Sequence, residues 1–371
     1  YRKLFNTWED PLFWIHLNVD YPFTLKGILY FPRIKRDFSG QDGQVKLFNR
    51  QVFVADNIKE VIPDFLFLLK GCLDCPDLPL NVSRSFLQND GQVRKMSSHI
   101  VRKVADRLQS LFETARPDYE TYWKDIGPFV KYGCLRDEKF CERMTPIVLY
   151  RTVDEGFKVL ADLGESILYT ADADRQAAYV RMARSRGRTV AVLDHELDTP
   201  FMSHMEMRNP KVRFARIDAE LGGEAGAAER ADTLARLFRD AAGDPELQVE
   251  VRALGETALP AFLSESEHSR RMQEMRRMFE RTRGPGADDD GFAKLFPVER
   301  KLVLNTDSPL VHRLADLYDD ENRQEQAREL ALHLHDLARL GHGSLDAAAM
   351  ASFLERAVRI LGTAADAGTG S

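Results

Sequence analysis

Nowhere does the sequence hold an apolar run near the roughly 18 residues a membrane-spanning helix needs, and the mean hydropathy is −0.37, so a helical membrane span is excluded. Positive charge is short as well. Against 58 Asp and Glu there are only 52 Lys and Arg, which gives a formal charge of −6 and a pI near 5.9 and leaves no basic footprint for general binding of nucleic acid or anionic membrane. There is no initiator Met, and Tyr1–Pro22 has no charged-then-apolar leader, so neither a signal peptide nor a natural start is expected here. P-loop, H-E-x-x-H and Ser-His-Asp patterns are all missing, which argues against a self-contained active site. Of the late histidines His312, His333, His335 and His342, the middle two lie two apart on a helical stretch and face different ways.

Cysteine is scarce too. Cys72-Leu-Asp-Cys75 together with Cys134 and Cys141 has the right number of sulfurs for zinc. Six residues separate the second pair and no Gly-rich knuckle flanks either pair, so free, reduced core thiols are the preferred reading and no metal is expected.

What is present is the ordinary balance of a globular protein, 44% hydrophobic and 30% charged, on 371 residues that are too many for one core and suggest two or three domains. The first 55 residues alternate like strands over Trp14–Val19, Leu25–Tyr30, Val45–Phe48 and Gln51–Val54. Pro63–Leu73 reads as a compact apolar helix, followed by an extended Leu78–Val82. A long helix then carries Val93, Met96, Ile100, Val104, Leu108, Leu111 and Phe112 on its apolar face. Helices over Tyr119–Val130 and Glu138–Leu149 complete a connector. From Ser166 the order is strand, helix, strand, helix and strand, ending at Ile217, which makes a small α/β unit. The segment Gly222-Gly-Glu-Ala-Gly226 lacks dinucleotide-binding spacing and reads as a flexible linker. Beyond it come a helix at Ala227–Ala241, a strand at Leu247–Ala253, a basic helix at Glu265–Arg281, the strand Lys301–Leu304 and two closing helices. The small, polar tail at 362–371 is expected to be disordered.

Two amphipathic stripes mark the closing helices. One holds Ala327, Leu330, Ala331, Leu334, Leu337 and Ala338; the other holds Met350, Phe353, Leu354, Ala357, Val358 and Leu361. Gly343 and Ser344 supply the break and the next N-cap, so the pair is expected to fold as an antiparallel hairpin. Upstream, Met272, Met275 and Phe279 share one side of the basic helix among Arg270, Arg271, Arg276 and Arg277, a pattern that suits either core or an adaptable binding face.

Several segments resemble the middle and carboxy-terminal parts of the bacterial ninety-kilodalton heat-shock chaperones of the HtpG type. They are Asn6-Thr-Trp-Glu-Asp-Pro11, Leu47-Phe-Asn-Arg-Gln-Val-Phe-Val54, Asp56-Asn-Ile-Lys-Glu-Val-Ile-Pro63, Leu69-Lys-Gly71, Asp77-Leu-Pro-Leu-Asn-Val-Ser-Arg-Ser-Phe-Leu-Gln88 and Val298-Glu-Arg-Lys-Leu-Val-Leu-Asn305. The resemblance implies an α/β (α+β) fold. An αβα sandwich (1–91), a helical connector (92–150) and a small α/β part (151–221) would form a middle domain, and a mixed α/β dimerisation domain would cover 222–371. It further implies a cytoplasmic, ATP-dependent, homodimeric chaperone for unfolded clients. ATP and Mg would be bound by a preceding domain, so that this chain holds no cofactor and hydrolyses no ATP by itself. Arg84 matches the arginine that the family's middle domain lends to the ATP phosphate and Gln88 an assisting glutamine, while Ser85 replaces an acidic residue often found there. A guanidinium suits charge developing on a transferring phosphoryl group. By the same resemblance Met272, Met275 and Phe279 would face the cleft between protomers, with Phe201 across it, and Leu330, Leu334, Leu337, Met350, Phe353, Leu354, Val358 and Leu361 would form the dimer interface. The tail lacks the Met-Glu-Glu-Val-Asp ending of eukaryotic relatives. A dimeric scaffold without ATP-linked activity is the alternative.

Overall fold

Strict alternation in Phe13–Val19 buries Phe13, Ile15, Leu17 and Val19 while Trp14, His16 and Asn18 face out, so the segment forms a strand, β1, with one face on a core. A computed structural model describes the chain apart from residues 34–43, 57–60, 67, 78–90, 155, 220–223, 226–229, 256–257, 266–270, 272–299, 344 and 369–371. With β1 run β2 (Leu25–Phe31), β3 (Val45–Asn49), β4 (Val52–Asp56) and β5 (Lys70–Asp74), in the spatial order β1-β2-β5-β3-β4. All neighbours are antiparallel except β3 and β5.

The central strand β5 corrects the apolar helix expected over Pro63–Leu73. The chain makes one 3-10 turn at Asp64–Leu66 and then extends. A short apolar run does not by itself distinguish buried helix from buried strand. Here Gly71 decides: a Cβ there would overlap the carbonyl oxygen of Ile28 on β2, so only glycine lets the two strands close.

Behind this sheet stand α1 (Gly91–Thr114), α2 (Arg116–Arg136) and α3 (Glu138–Met144). The expected apolar face of α1 is the buried one, with Ile100, Val104 and Leu108 wholly inside. The third helix is shorter than the expected Glu138–Leu149, because Pro146 shifts the chain into a 3-10 turn over Thr145–Ile147. Aromatic contacts join sheet and turn to the helices: Phe31 of β2 meets Phe129 edge-on at 4.8 Å, and Phe65 of the 3-10 turn meets Phe140 at 5.1 Å.

Contacts divide the chain into two compact units that interleave in sequence. One comprises Tyr1–Arg151, Glu155–Gly164 and His195–Val212; the other comprises Thr152–Asp154, Glu165–Asp194 and Arg213–Ser371. In the second, β6 (Ser166–Thr170), β7 (Val190–Val192) and β8 (Arg213–Arg216) form a parallel sheet in the order β8-β6-β7, with α4 (Ala177–Ser185) between β6 and β7. The helix α5 (Asp198–Arg208) lies between β7 and β8 in sequence but belongs to the first unit. There Phe201, Met202 and Met205 are buried, and Lys131 of α2 forms a buried ion pair with Asp198.

The second unit continues with β9 (Glu224–Ala225), α6 (Ala231–Ala242), β10 (Gln248–Ala253), β11 (Ala261–Glu265), β12 (Arg300–Asn305), α7 (Pro309–Asp319), α8 (Gln324–His342) and α9 (Ala347–Gly368). Its four-stranded sheet runs β9-β10-β12-β11. Two features depart from expectation. Part of the glycine-rich linker pairs as β9 against Arg252 and Ala253. Glu265, expected to open a helix, instead ends β11 opposite Arg300, buried at that position. The fold is mixed α/β throughout, and among the described residues no helix is long and apolar enough to cross a membrane.

Candidate interaction surface

The closing helices reveal which of the striped residues are already used inside the subunit. On α8 the small residues Ala327, Ala331 and Ala338, with Leu334, join a core built from Leu237 and Phe238 of α6, Leu263 of β11, Leu302 and Leu304 of β12, and Leu314 of α7. Alanine there lets α8 approach the sheet closely. Leu330 is half-buried against the same cluster, whereas Leu337 is 46% exposed.

Polar contacts hold α9 to α8. The Arg356 guanidinium pairs with the Asp336 carboxylate, both buried, and Arg339 reaches the same carboxylate at 3.2 Å. Arg359 meets Glu329 at 2.9 Å. The His333 ring lies parallel to that of Phe353 with centroids 4.6 Å apart, and burial together with Arg356 lowers the pKa of His333 below its ordinary value. Asp346, rather than the expected Ser344, serves as the N-cap of α9: its carboxylate accepts the Ala349 N–H at 2.8 Å. Ser344 lies outside the described residues.

The opposite side of α9 is exposed among the described residues. Leu354, Val358 and Leu361 fall at i, i+4 and i+7 and are 55%, 71% and 69% exposed, while Met350 and Phe353 are half-buried. Nor does α9 stop at the small, polar tail: its helix continues to Gly368, through a stretch where alanine, the strongest helix former, recurs. Sequence periodicity found both stripes but did not divide them into an inner and an outer set.

The other expected site residues fare differently. Phe201 is wholly buried in α5, with the Lys131 ammonium 6.0 Å from its ring, so it is core of the first unit and offers no surface to a client as folded. Arg84, Gln88, Met272, Met275 and Phe279 lie outside the described residues. Neighbouring Arg271 is described, and its guanidinium donates to the Phe214 carbonyl at 3.3 Å.

Comparison with known proteins follows the same lines. A family model described as Hsp90 protein matches residues 1–187. The chaperone protein HtpG of Porphyromonas gingivalis W83 is 35% identical, over 97% of this chain and 64% of that protein. The HtpG chaperone of Bacteroides fragilis 638R is 36% identical over 86% of this chain and 50% of its own length, and that of Myxococcus xanthus is 28% identical over 93% and 55%. The chain thus spans from about half to just under two thirds of the length of these relatives.

Proposed function

The chain belongs to the Hsp90 protein family, and from that premise we propose that it is the client-binding and self-associating part of an ATP-dependent, HtpG-type chaperone that works in the cytoplasm. The observation that carries this reading is the exposed apolar stripe Leu354, Val358 and Leu361, which no side chain among the described residues buries. A second copy of the same helix is its proposed occupant, with Leu337 at the rim, because like stripes related by a twofold axis are self-complementary. Met350, Phe353, Leu330 and Leu334 then support the interface from beneath rather than form it.

In the whole protein Arg84 is proposed to meet the charge that develops on the transferred phosphoryl group, with Gln88 beside it and ATP held with Mg. Met272, Met275 and Phe279 are the proposed client contacts, since flexible, polarizable side chains repack around varied partners.

The test is suppression of aggregation. A thermally unfolding client should stay soluble with this chain and precipitate with a variant carrying Met275→Ser and Phe279→Ser, whose own thermal stability stays within about 1 kcal/mol. Equal protection by both proteins would remove these residues from the client surface. A large loss of stability would mark them as core instead.

A further inference from the structure

The end of α8 carries a buried charge cluster that the chaperone reading does not use. His342, the last residue of that helix, sets its ring between two carboxylates from separate strands: Nδ1 lies 3.4 Å from Asp218, just beyond β8, and Nε2 lies 3.5 Å from Glu265, the last residue of β11. Burial is nearly complete, with side-chain exposures of 10% for His342, 0% for Asp218 and 5% for Glu265. Both distances are long for a neutral hydrogen bond, so the ring is held chiefly by attraction between charges, which exists while the imidazole is protonated.

Each element around the ring brings charge of its own. Arg216 of β8 donates through Nε to Asp218 at 2.6 Å, and Arg300 of β12 stands 3.9 Å from Glu265. On α4 the buried Tyr179 keeps its phenolic proton, because burial and then Asp218 raise its pKa. On α8 itself Arg339 pairs with Asp336 at 3.2 Å, and Arg356 of α9 pairs with the same carboxylate. Within this set His342 is a group that changes charge near neutral pH: the Asp218 carboxylate, and after it Glu265, raise its pKa above the ordinary histidine value against burial.

We propose that His342 is a proton-operated latch for the α8–α9 hairpin: protonated, it ties the end of α8 to β8 and β11, and deprotonated, it releases that end and weakens self-association through α9. Residues 343–346 alone separate it from Ala347, where α9 begins, so the direction in which α9 leaves the subunit depends on how firmly the last turn of α8 is fixed. Loss of the imidazolium also leaves two buried carboxylates facing Arg216 and the half-exposed Arg300 without the cation between them. A histidine raised in the docked state is fully charged below its ordinary value of about 6.5, and the latch is lost as pH climbs through the folded value. By linkage, self-association takes up protons. This regulation rests on the self-association proposed above, whereas docking of α8 is a property of the single subunit.

Two measurements on the whole chain, from about pH 6 to about pH 9 at fixed ionic strength, test the latch: sedimentation equilibrium for the dimer Kd, and hydrogen exchange of the last turn of α8, corrected for the intrinsic rise of exchange with pH. The wild-type Kd should rise on the order of tenfold over this range while protection of that turn falls. His342→Gln should behave at every pH like the wild type at high pH, and His342→Lys, with a permanent charge, should keep much of the low-pH affinity at pH 9. His333→Gln is the control. Burial first, then Arg356, lowers the pKa of His333, so it is already neutral across most of the window and its loss should leave the pH dependence intact. In the Val358→Asp chain the turn should still loosen with pH, which reads the latch without the dimer. A wild type that is monomeric at every pH defeats the self-association reading, and exchange then decides the latch alone. Protection of the turn that does not change with pH, or a pH dependence of Kd that survives His342→Gln, overturns the proposal.

Discussion

Replacing Val358 with Asp should separate the proposed dimer without disturbing the subunit. Val358 is 71% exposed on the outer face of α9. Fully burying an aliphatic side chain is worth about 2 kcal/mol, so Val358 would contribute on the order of 1.5 kcal/mol per protomer and about 3 kcal/mol in a twofold pair. That alone corresponds to more than a hundredfold in Kd, and a carboxylate buried without a partner makes the loss larger. The isolated subunit, in which the position already faces water, should change by no more than about 0.5 kcal/mol. Sedimentation equilibrium reads the first quantity and urea denaturation of the monomeric variant the second. Truncation at Asp320 is a poorer probe, because it removes Ala327, Ala331, Leu334 and Ala338 from the core. Leu334→Asp is the informative contrast and should unfold the unit rather than merely dissociate it. A wild-type chain that sediments as a monomer at high concentration, or a Val358→Asp chain that dimerises as tightly as wild type, refutes the reasoning.

Three further outcomes are expected. In the full-length protein Arg84→Ala should lower ATP turnover by on the order of a thousandfold with nucleotide affinity nearly unchanged, since a group that meets charge only in the transition state affects rate more than binding; weaker ATP binding at unchanged turnover would remove that role. Lys131→Met should cost about 3–5 kcal/mol in urea denaturation, because it leaves the Asp198 carboxylate buried and unpaired, and adding Asp198→Asn should recover much of the loss; an effect no larger than breaking the exposed Arg2–Asp10 pair would contradict this. His342 lies with Nδ1 3.4 Å from Asp218 and Nε2 3.5 Å from Glu265, beside Arg216 and Arg300, and the two carboxylates raise its pKa against burial. A raised histidine stabilises fully below its unfolded value near 6.5 and less as pH climbs through the folded value, so unfolding free energy should fall over that window and His342→Gln should flatten the slope. Asp218 works at the other end. Burial would raise it, but hydrogen bonds from Arg216 and His342 hold it at about 2, so its contribution persists above the ordinary carboxylate range and disappears as pH falls toward 2.

By itself the sequence determined whatever depends on local period and on short specific strings. Alternation placed β1 through β4 within a residue or two, and helical spacing placed α1, α2, α8 and α9, because which side of an element is apolar is written in the order of its residues. The family was legible in segments such as Leu47–Val54 and Val298–Asn305. The helix α7 has a weaker local signal, Ser308-Pro309 followed by Val311, Leu314 and Ala315, and is absent from the sequence-based expectation. What only the tertiary structure decided are matters of partnership between residues far apart in the chain. Periodicity gives α8 and α9 an apolar face but not its neighbour, so Leu334 as core and Val358 as surface became distinct only once α6 and the β10–β12 sheet had taken up the alanine side of α8. Gly71 makes Lys70–Asp74 a strand because β2 lies against it, and Phe201 is buried because α5 packs with Lys131 in the first unit while its flanking strands belong to the second. Cys141 and His204 meet for the same reason: burial and proximity are set by whatever arrives from elsewhere in the chain, and no local pattern of a sequence encodes that arrival.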